Sequence, residues 1–328
     1  MKSSLHFDKK QNAYINIKRV IVYGSLAYDR VMDFPGKFRD NFLPDKLHLI
    51  NVSFAVPKLT ENFGGTAGNI AYNLSLLRAR PIILAEAGND FIKYSKWLVQ
   101  LKIETKHIYS VKDLPTASAY IITDKEDNQI TGFYSGAIQK HYPSFSDDIF
   151  KNALVIISPG NCRDMSTLVK ICFKKQTPFI YDPGQQIPHL TKNELAYGVK
   201  NSLVFIGNDY EISLVAHILK ISEQTLIQRA NILIKTLGAK GSEIWHKGKC
   251  IKIPAFKPRQ VIDPTGAGDA YRAGLAMGLL RHWPITKIGR FVSLVASYAV
   301  EQYGTQKHKF TQTELEQRYS KRFKENLF

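Results

Sequence analysis

Six short apolar runs, rich in β-branched residues, recur along the chain at 20–22, 82–84, 154–157, 179–181, 203–206 and 232–235. Stretches of helical period lie between them. Apart from Lys235 at the end of the last, each run is apolar instead of alternating with polar residues, so both faces of each strand must be covered. Parallel neighbours also need a crossover, which candidate helices at 69–77, 91–101, 165–173 and 209–219 supply. This rhythm predicts an α/β/α sandwich with a mostly parallel central sheet.

Two regions break the rhythm, 33–60 and 116–134, the latter with alternating strands that meet a turn near Asp127-Asn128. They read as a small β-sheet inserted into a core that spans 17–328, a lid covering about 33–60 and 114–138. A later hairpin turns at Lys247-Gly248. Residues 1–16 are charged throughout with no apolar stretch, which reads as a solvated extension and not a signal peptide.

The 44% apolar content suffices for an enzyme-sized core. The longest apolar candidate, 291–300, carries Ser293, Ser297 and Tyr298 and falls short of the roughly 20 residues of a membrane span. It reads as a core helix, with no membrane partner. Cys162, Cys172 and Cys250 are odd in number and lack metal-like spacing, which predicts free thiols and a cytoplasmic location. The net charge of +17 raises the question of nucleic acid, but the lysines are scattered singly or in pairs. Without a basic block interleaved with aromatics, no nucleic-acid partner is expected.

The chemistry concentrates in Asp263-Pro264-Thr265-Gly266-Ala267-Gly268-Asp269-Ala270-Tyr271, which enters a helix running to about Arg281. Small residues at a helix start let a phosphate reach free backbone N–H groups, and the dipole favours the anion. Gly266, Ala267 and Gly268 would form that anion hole. Asp269, next in line, is placed to take a proton from a hydroxyl attacking the held phosphoryl group. A tight turn with a helix-stabilising carboxylate would use the same residue types. The segment is no Walker loop, since GxxxxGK[ST] is absent, and Tyr271 stands where a dinucleotide fingerprint needs its third glycine.

The stretch 263–274 resembles the C-terminal signature of the ribokinase (PfkB) family of carbohydrate and nucleoside kinases. Gly64-Gly65-Thr66-Ala67-Gly68-Asn69 resembles that family's first signature, and Asn208-Asp209-Tyr210-Glu211 its NxxE motif. By itself, Asn208 could simply cap a helix. The segment 236–241 is similar to the family's ATP-binding turn. The resemblance covers about 18–306. Within the family, Gly24-Ser25-Leu26-Ala27-Tyr28-Asp29, Phe34-Pro35-Gly36-Lys37-Phe38, Leu43-Pro44, Ser53-Phe54, Phe133-Tyr134, Asp182-Pro183-Gly184-Gln185-Gln186 and Gly304-Thr305-Gln306 look like bacterial adenosine kinases of the actinobacterial type.

The resemblance implies a ribokinase-like fold and transfer of the γ-phosphate of ATP to the 5′-hydroxyl of adenosine, giving AMP and ADP in purine salvage. A kinase of the same family acting on a free sugar, inosine or guanosine is the alternative, and a non-catalytic nucleoside-binding protein is the alternative of another class. Asp269 would be the base. Asp29, Gly65 and Asn69 would hold the ribose, Ser25, Ser53, Gln185 and Gln186 would fix the nucleoside, and Phe133 would stack on the base. Asn208, Thr236, Gly238, Lys240, Gly241 and Gly268 would bind ATP. Asn208 and Glu211 would hold Mg²⁺ through water. A monovalent cation, K⁺, is a further cofactor the resemblance admits. Ala119 departs from the pattern, standing where similar kinases carry an aromatic ring. Tyr120 beside it faces the other way if the segment is a strand. A lid with an exposed face suggests a homodimer.

Overall fold

Alternate side chains of one strand enter two separate cores, which explains why the run is apolar throughout. In β1 (Arg19–Tyr23), Val20 and Val22 pack into one layer while Ile21 and Tyr23 pack into the other. The computed structural model describes residues 17–42, 45, 49, 51–126 and 128–328; the 1–16 extension, Leu43-Pro44 and Asp127 lie outside them.

The remaining strands of the large sheet are β4 (Ile82–Ala87), β5 (Ile108–Ser110), β8 (Ala153–Ile157), β9 (Phe179–Tyr181), β10 (Val204–Asn208), β11 (Ile232–Thr236), β12 (Ser242–His246) and β13 (Lys249–Ile253). Their order is β13-β12-β11-β10-β9-β8-β1-β4-β5. All neighbours are parallel except those of the terminal hairpin, β11 with β12 and β12 with β13. Lys247 and Gly248 both take positive φ in its turn, which matches the twist of a two-residue hairpin.

Helices α1 (Thr66–Leu76), α2 (Ile92–Gln100), α7 (Ala267–Leu280) and α8 (Ile285–Ala299) cover one face. The other is covered by α3 (Cys162–Lys175), α4 (Lys192–Asn201), α5 (Asp209–Leu219) and α6 (Glu223–Arg229). Outside α8 lies α9 (Gln312–Phe323). The fold is thus the expected α/β/α sandwich. Among the described residues no helix is long and apolar enough to cross a membrane, and residues 291–299 belong to buried α8. All three cysteines are free thiols.

Sequence reading passed over α4, α6 and α9. Two of them carried a legible signal. Thr191 and Glu194, and likewise Thr311 and Glu314, form reciprocal capping boxes that start α4 and α9.

From β1 the chain passes to β4 and β5 on one side and to β8 onward on the other. A crevice forms beyond the strand carboxyl ends where the order reverses. There Ser25 N donates to Pro159 O at 2.9 Å, and Ser158 Oγ to Tyr23 O at 2.7 Å.

The small sheet has the order β3-β2-β6-β7, from β2 (Ala27–Asp33), β3 (Leu59–Gly64), β6 (Ala117–Thr123) and β7 (Gln129–Tyr134). Its first strand begins at Ala27, earlier than the expected start at 33. Ala27-Tyr28, Asp29-Arg30 and Val31-Met32 come in like pairs, so β2 lacks the period-two alternation that marks a strand with one buried face. The reason is burial on the second face too, where Tyr28 packs against Phe63 and Tyr94.

Candidate active site

The N-terminus of α7 shows why its residues are small. Gly266 caps the helix with φ +81°, a region glycine enters without steric penalty. The first intrahelical bond is Ala270 N to Gly266 O, 2.9 Å, so the N–H groups of Gly268 and Asp269 precede it. They point outward with the positive end of the helix dipole. Asp263 braces the entry loop, accepting from Thr265 N at 2.9 Å and from Gly304 N at 3.0 Å.

Asp269 faces the start of α1. Asn69 Nδ2 donates to its Oδ2 at 2.9 Å across a sequence separation of 200 residues. Gln306 Nε2 donates to Asn69 Oδ1 at 3.1 Å, which orients the amide, and Trp97 Nε1 donates to Gln306 Oε1 at 2.9 Å. Burial pushes the Asp269 carboxyl up to about 7, with Asp182 and Asp29 adding to the shift and Arg272 and Asn69 opposing it. A carboxylate lifted to near neutrality is a stronger proton acceptor than an ordinary one, which suits a general base.

The small sheet presents a row of side chains to this site. Asn62, Asp29, Ala119 and Phe133 are successive register partners across β3, β2, β6 and β7, and directly paired residues share a face. Asp29 is raised to about 6 by burial first and by the charge of Asp263 in the α7 entry loop second. Gly64 makes room for it, since a Cβ there would lie 2.3 Å from Asp29 Oδ2. Phe133 is 53% exposed, and it stacks on no ring among the described residues. Tyr120 points away, its hydroxyl accepting from Arg30 Nη1 at 3.1 Å on the other face.

Gly65 turns the chain into α1 at φ +84°. Ser25 is committed to that same turn, its Oγ accepting from Thr66 N at 2.9 Å, so it braces the Gly65 turn. Gln186 accepts from Cys162 Sγ, while Gln185 and Ser53 are exposed and make no side-chain hydrogen bond with described residues. Neither is hydrogen-bonded to Asp29 or Asp269, and Gln185 follows by three residues the Asp182 that pairs with Arg272 on α7.

A second group forms at the ends of β10 and β11, where Asn208 and Thr236 are register partners. Gly238 and Gly241 have positive φ, and a Cβ on Gly241 would lie 2.0 Å from Ile253 O; Lys240 between them is exposed. Asn208 and Glu211 cap each other, Glu211 N donating to Asn208 Oδ1 at 2.8 Å and Asn208 N to Glu211 Oε2 at 2.7 Å. Among the described residues no three His, Cys, Asp or Glu side chains gather as a metal cage. The hard oxygens of Glu211 at the crevice fit a hydrated Mg²⁺ that keeps its own waters.

Sequence reading gave Asp182 no role beyond its place in the 182–186 motif and passed over Arg272. Asp182, 1% exposed beyond β9, pairs with Arg272 Nε on α7. Arg272 was detectable as a lone cation in an otherwise apolar helix, and Asp182 as the carboxylate closing a strand.

Residues 18–312 match the model of the pfkB family of carbohydrate kinases. A nucleoside kinase of Methanocaldococcus jannaschii is 33% identical over 258 residues, covering 78% of this chain and 85% of that one. One of Methanothermobacter thermautotrophicus is 34% identical over 268 residues, 78% and 84%. Among solved structures, the Burkholderia thailandensis nucleoside kinase in complex with inosine superposes with a TM-score of 0.83 at 33% identity, covering 94% of this chain and 99% of that chain. These archaeal and Burkholderia relatives correct the narrower expectation of an actinobacterial-type adenosine kinase. The local motifs behind it, such as Asp182-Pro183-Gly184-Gln185-Gln186, do not by themselves separate one nucleoside kinase from another. By the match along nearly its whole length and by its similarity to these relatives, the chain belongs to the pfkB family of carbohydrate kinases.

Proposed function

We propose that this chain is a nucleoside kinase that transfers the γ-phosphate of ATP to the 5′-hydroxyl of a purine nucleoside, adenosine giving AMP, with inosine also accepted. The observation that carries this reading is Asp269, held by Asn69 beside the α7 amides and facing the Asp29 row. Asp29 accepts from the ribose hydroxyls, Phe133 lies against the base, and Ala119 leaves the row roomy enough for more than one purine. Asp269 takes the 5′-hydroxyl proton as the oxygen attacks, the amides of Gly268 and Asp269 at the start of α7 hold the phosphoryl oxygens while that of Ala267 is occupied by Pro264 O, and the small sheet keeps water out. Mg²⁺, arriving with ATP and held through water near Asn208 and Glu211, would neutralise phosphate charge. Thr236, Gly238, Lys240 and Gly241 would border the nucleotide.

The inosine-bound Burkholderia relative and the nucleoside kinases of archaea support the acceptor class. A coupled ADP-release screen with Mg-ATP over adenosine, inosine, guanosine, ribose and fructose tests it. Adenosine is expected to exceed ribose by orders of magnitude in kcat/KM, because the base supplies remote binding energy. Equal turnover of ribose or fructose would overturn the acceptor, and none with any acceptor would leave only a binding protein. The outer face of the small sheet exposes Leu59, Tyr120, Ile130 and Tyr134, where the expected homodimer would form, a point that light scattering checks.

A further inference from the structure

Arg272 stands one helical turn after Gly268 and three residues after Asp269, so the three share one face of α7. Helical side chains lean toward their own N-terminus, which carries the guanidinium back over the first turn. Gly268 shows how close it comes. A Cβ at that position would lie 2.5 Å from Arg272 Nη1, so any side chain there would displace the guanidinium. Glycine at 268 thus serves the arginine as well as the amide.

Asp182, buried beyond β9, forms an ion pair with Nε and anchors the guanidinium on that side. The two Nη groups make no hydrogen bond to a described protein acceptor, and neither is sealed from solvent as Nε is. Burial disfavours the charge, but Asp182, Asp269 and Glu211 hold the guanidinium protonated. The result is a fixed cation with two donor groups at liberty, at the mouth of the anion hole. Paired N–H donors in one plane match the oxygens of a phosphoryl group.

We propose that Arg272, held by Asp182, is a catalytic residue whose Nη groups bind oxygens of the transferring phosphoryl group. This deepens the kinase reading and rests on it, but not on which acceptor is used. The acceptor oxygen forms its bond to the γ-phosphorus as the bond to the β,γ-bridging oxygen breaks. That electron pair leaves on ADP, the hydroxyl proton goes to Asp269, and the guanidinium stays protonated throughout. Its charge is most useful where negative charge spreads over the equatorial oxygens.

The test uses whichever acceptor the wild-type enzyme phosphorylates in the screen, so a failed nucleoside assignment and a failed role for Arg272 are read separately. Arg272→Gln is expected to fold, to keep the acceptor KM within about threefold and to lose roughly 10²- to 10³-fold in kcat, the range for removing one preorganised donor. In Arg272→Ala, guanidinium ion added below denaturing concentration should restore at least about tenfold of the lost kcat while leaving wild type unchanged. If Arg272→Gln does not fold, Arg272→Lys keeps the Asp182 pair and should still lose about tenfold or more, since an ammonium lacks the fork. A folded Gln or Lys variant with near-wild-type kcat overturns the proposal. So does an Ala variant that guanidinium does not rescue.

Discussion

Asp269→Asn is expected to lower activity and raise stability at once, because the same burial that makes Asp269 a base makes it a poor resident of the fold. Its carboxyl rises from 3.8 to about 7. The folded protein therefore holds that proton more tightly than the unfolded chain. The group's contribution to stability is full below 3.8 and is lost as pH rises through about 7. By linkage the loss between pH 4.5 and pH 8 is roughly 3 kcal/mol, an order-of-magnitude figure. Asparagine keeps the shape and can still accept from Asn69, but it never ionises. The variant should gain over wild type by that amount at pH 8 relative to pH 4.5, about 4 °C in melting temperature for a chain of this size. Its kcat should fall by roughly 10²- to 10⁴-fold, since the amide cannot take the proton. Denaturant and thermal melts of both proteins at the two pH values read the stability terms, and a coupled ADP-release assay with nucleoside binding by calorimetry reads kcat and acceptor binding. A variant destabilised at pH 8, or one that binds the acceptor yet keeps more than about a tenth of wild-type kcat, would refute the assignment of Asp269 as a buried base.

Asn69→Ala removes the 2.9 Å hydrogen bond that favours the ionised carboxyl, so the acid limb of the kcat/KM profile should move to higher pH; an unmoved limb would show that Asp269 does not titrate in that profile. Gly65→Ala places a Cβ 2.5 Å from Ser25 O at φ +84°, and urea unfolding should report a loss of at least about 1 to 3 kcal/mol. Ala119→Phe adds a ring beside Phe133 in the Asp29 row and should lower the nucleoside KM by about fivefold, on the order of 1 kcal/mol. Unchanged KM in a well-folded variant would mean that Ala119 does not face the base.

Elements whose cause is local are legible in the amino-acid order. Strands β1, β8 and β10 were legible because burial on both faces leaves an unbroken apolar run, and the anion hole because 266–268 must be small where α7 begins. The hairpin β12–β13 announced itself through Lys247-Gly248, whose positive φ values follow from the turn alone. Strand β2 was obscured, since coverage of its second face by Tyr94 and Phe63 erases the alternation that marks a strand. Which side chains meet is set by the packing of distant segments. Asn69 reaches Asp269 across 200 residues, and Gln306 reaches Asn69 across 237. Asp29, Ala119 and Phe133 share a row because of strand register, and a shift of one residue would turn each to the opposite face. Arg272 meets Asp182 because β9 ends where α7 begins. Such pairings depend on crossovers and packing between distant segments, and no period within a short window of sequence encodes them.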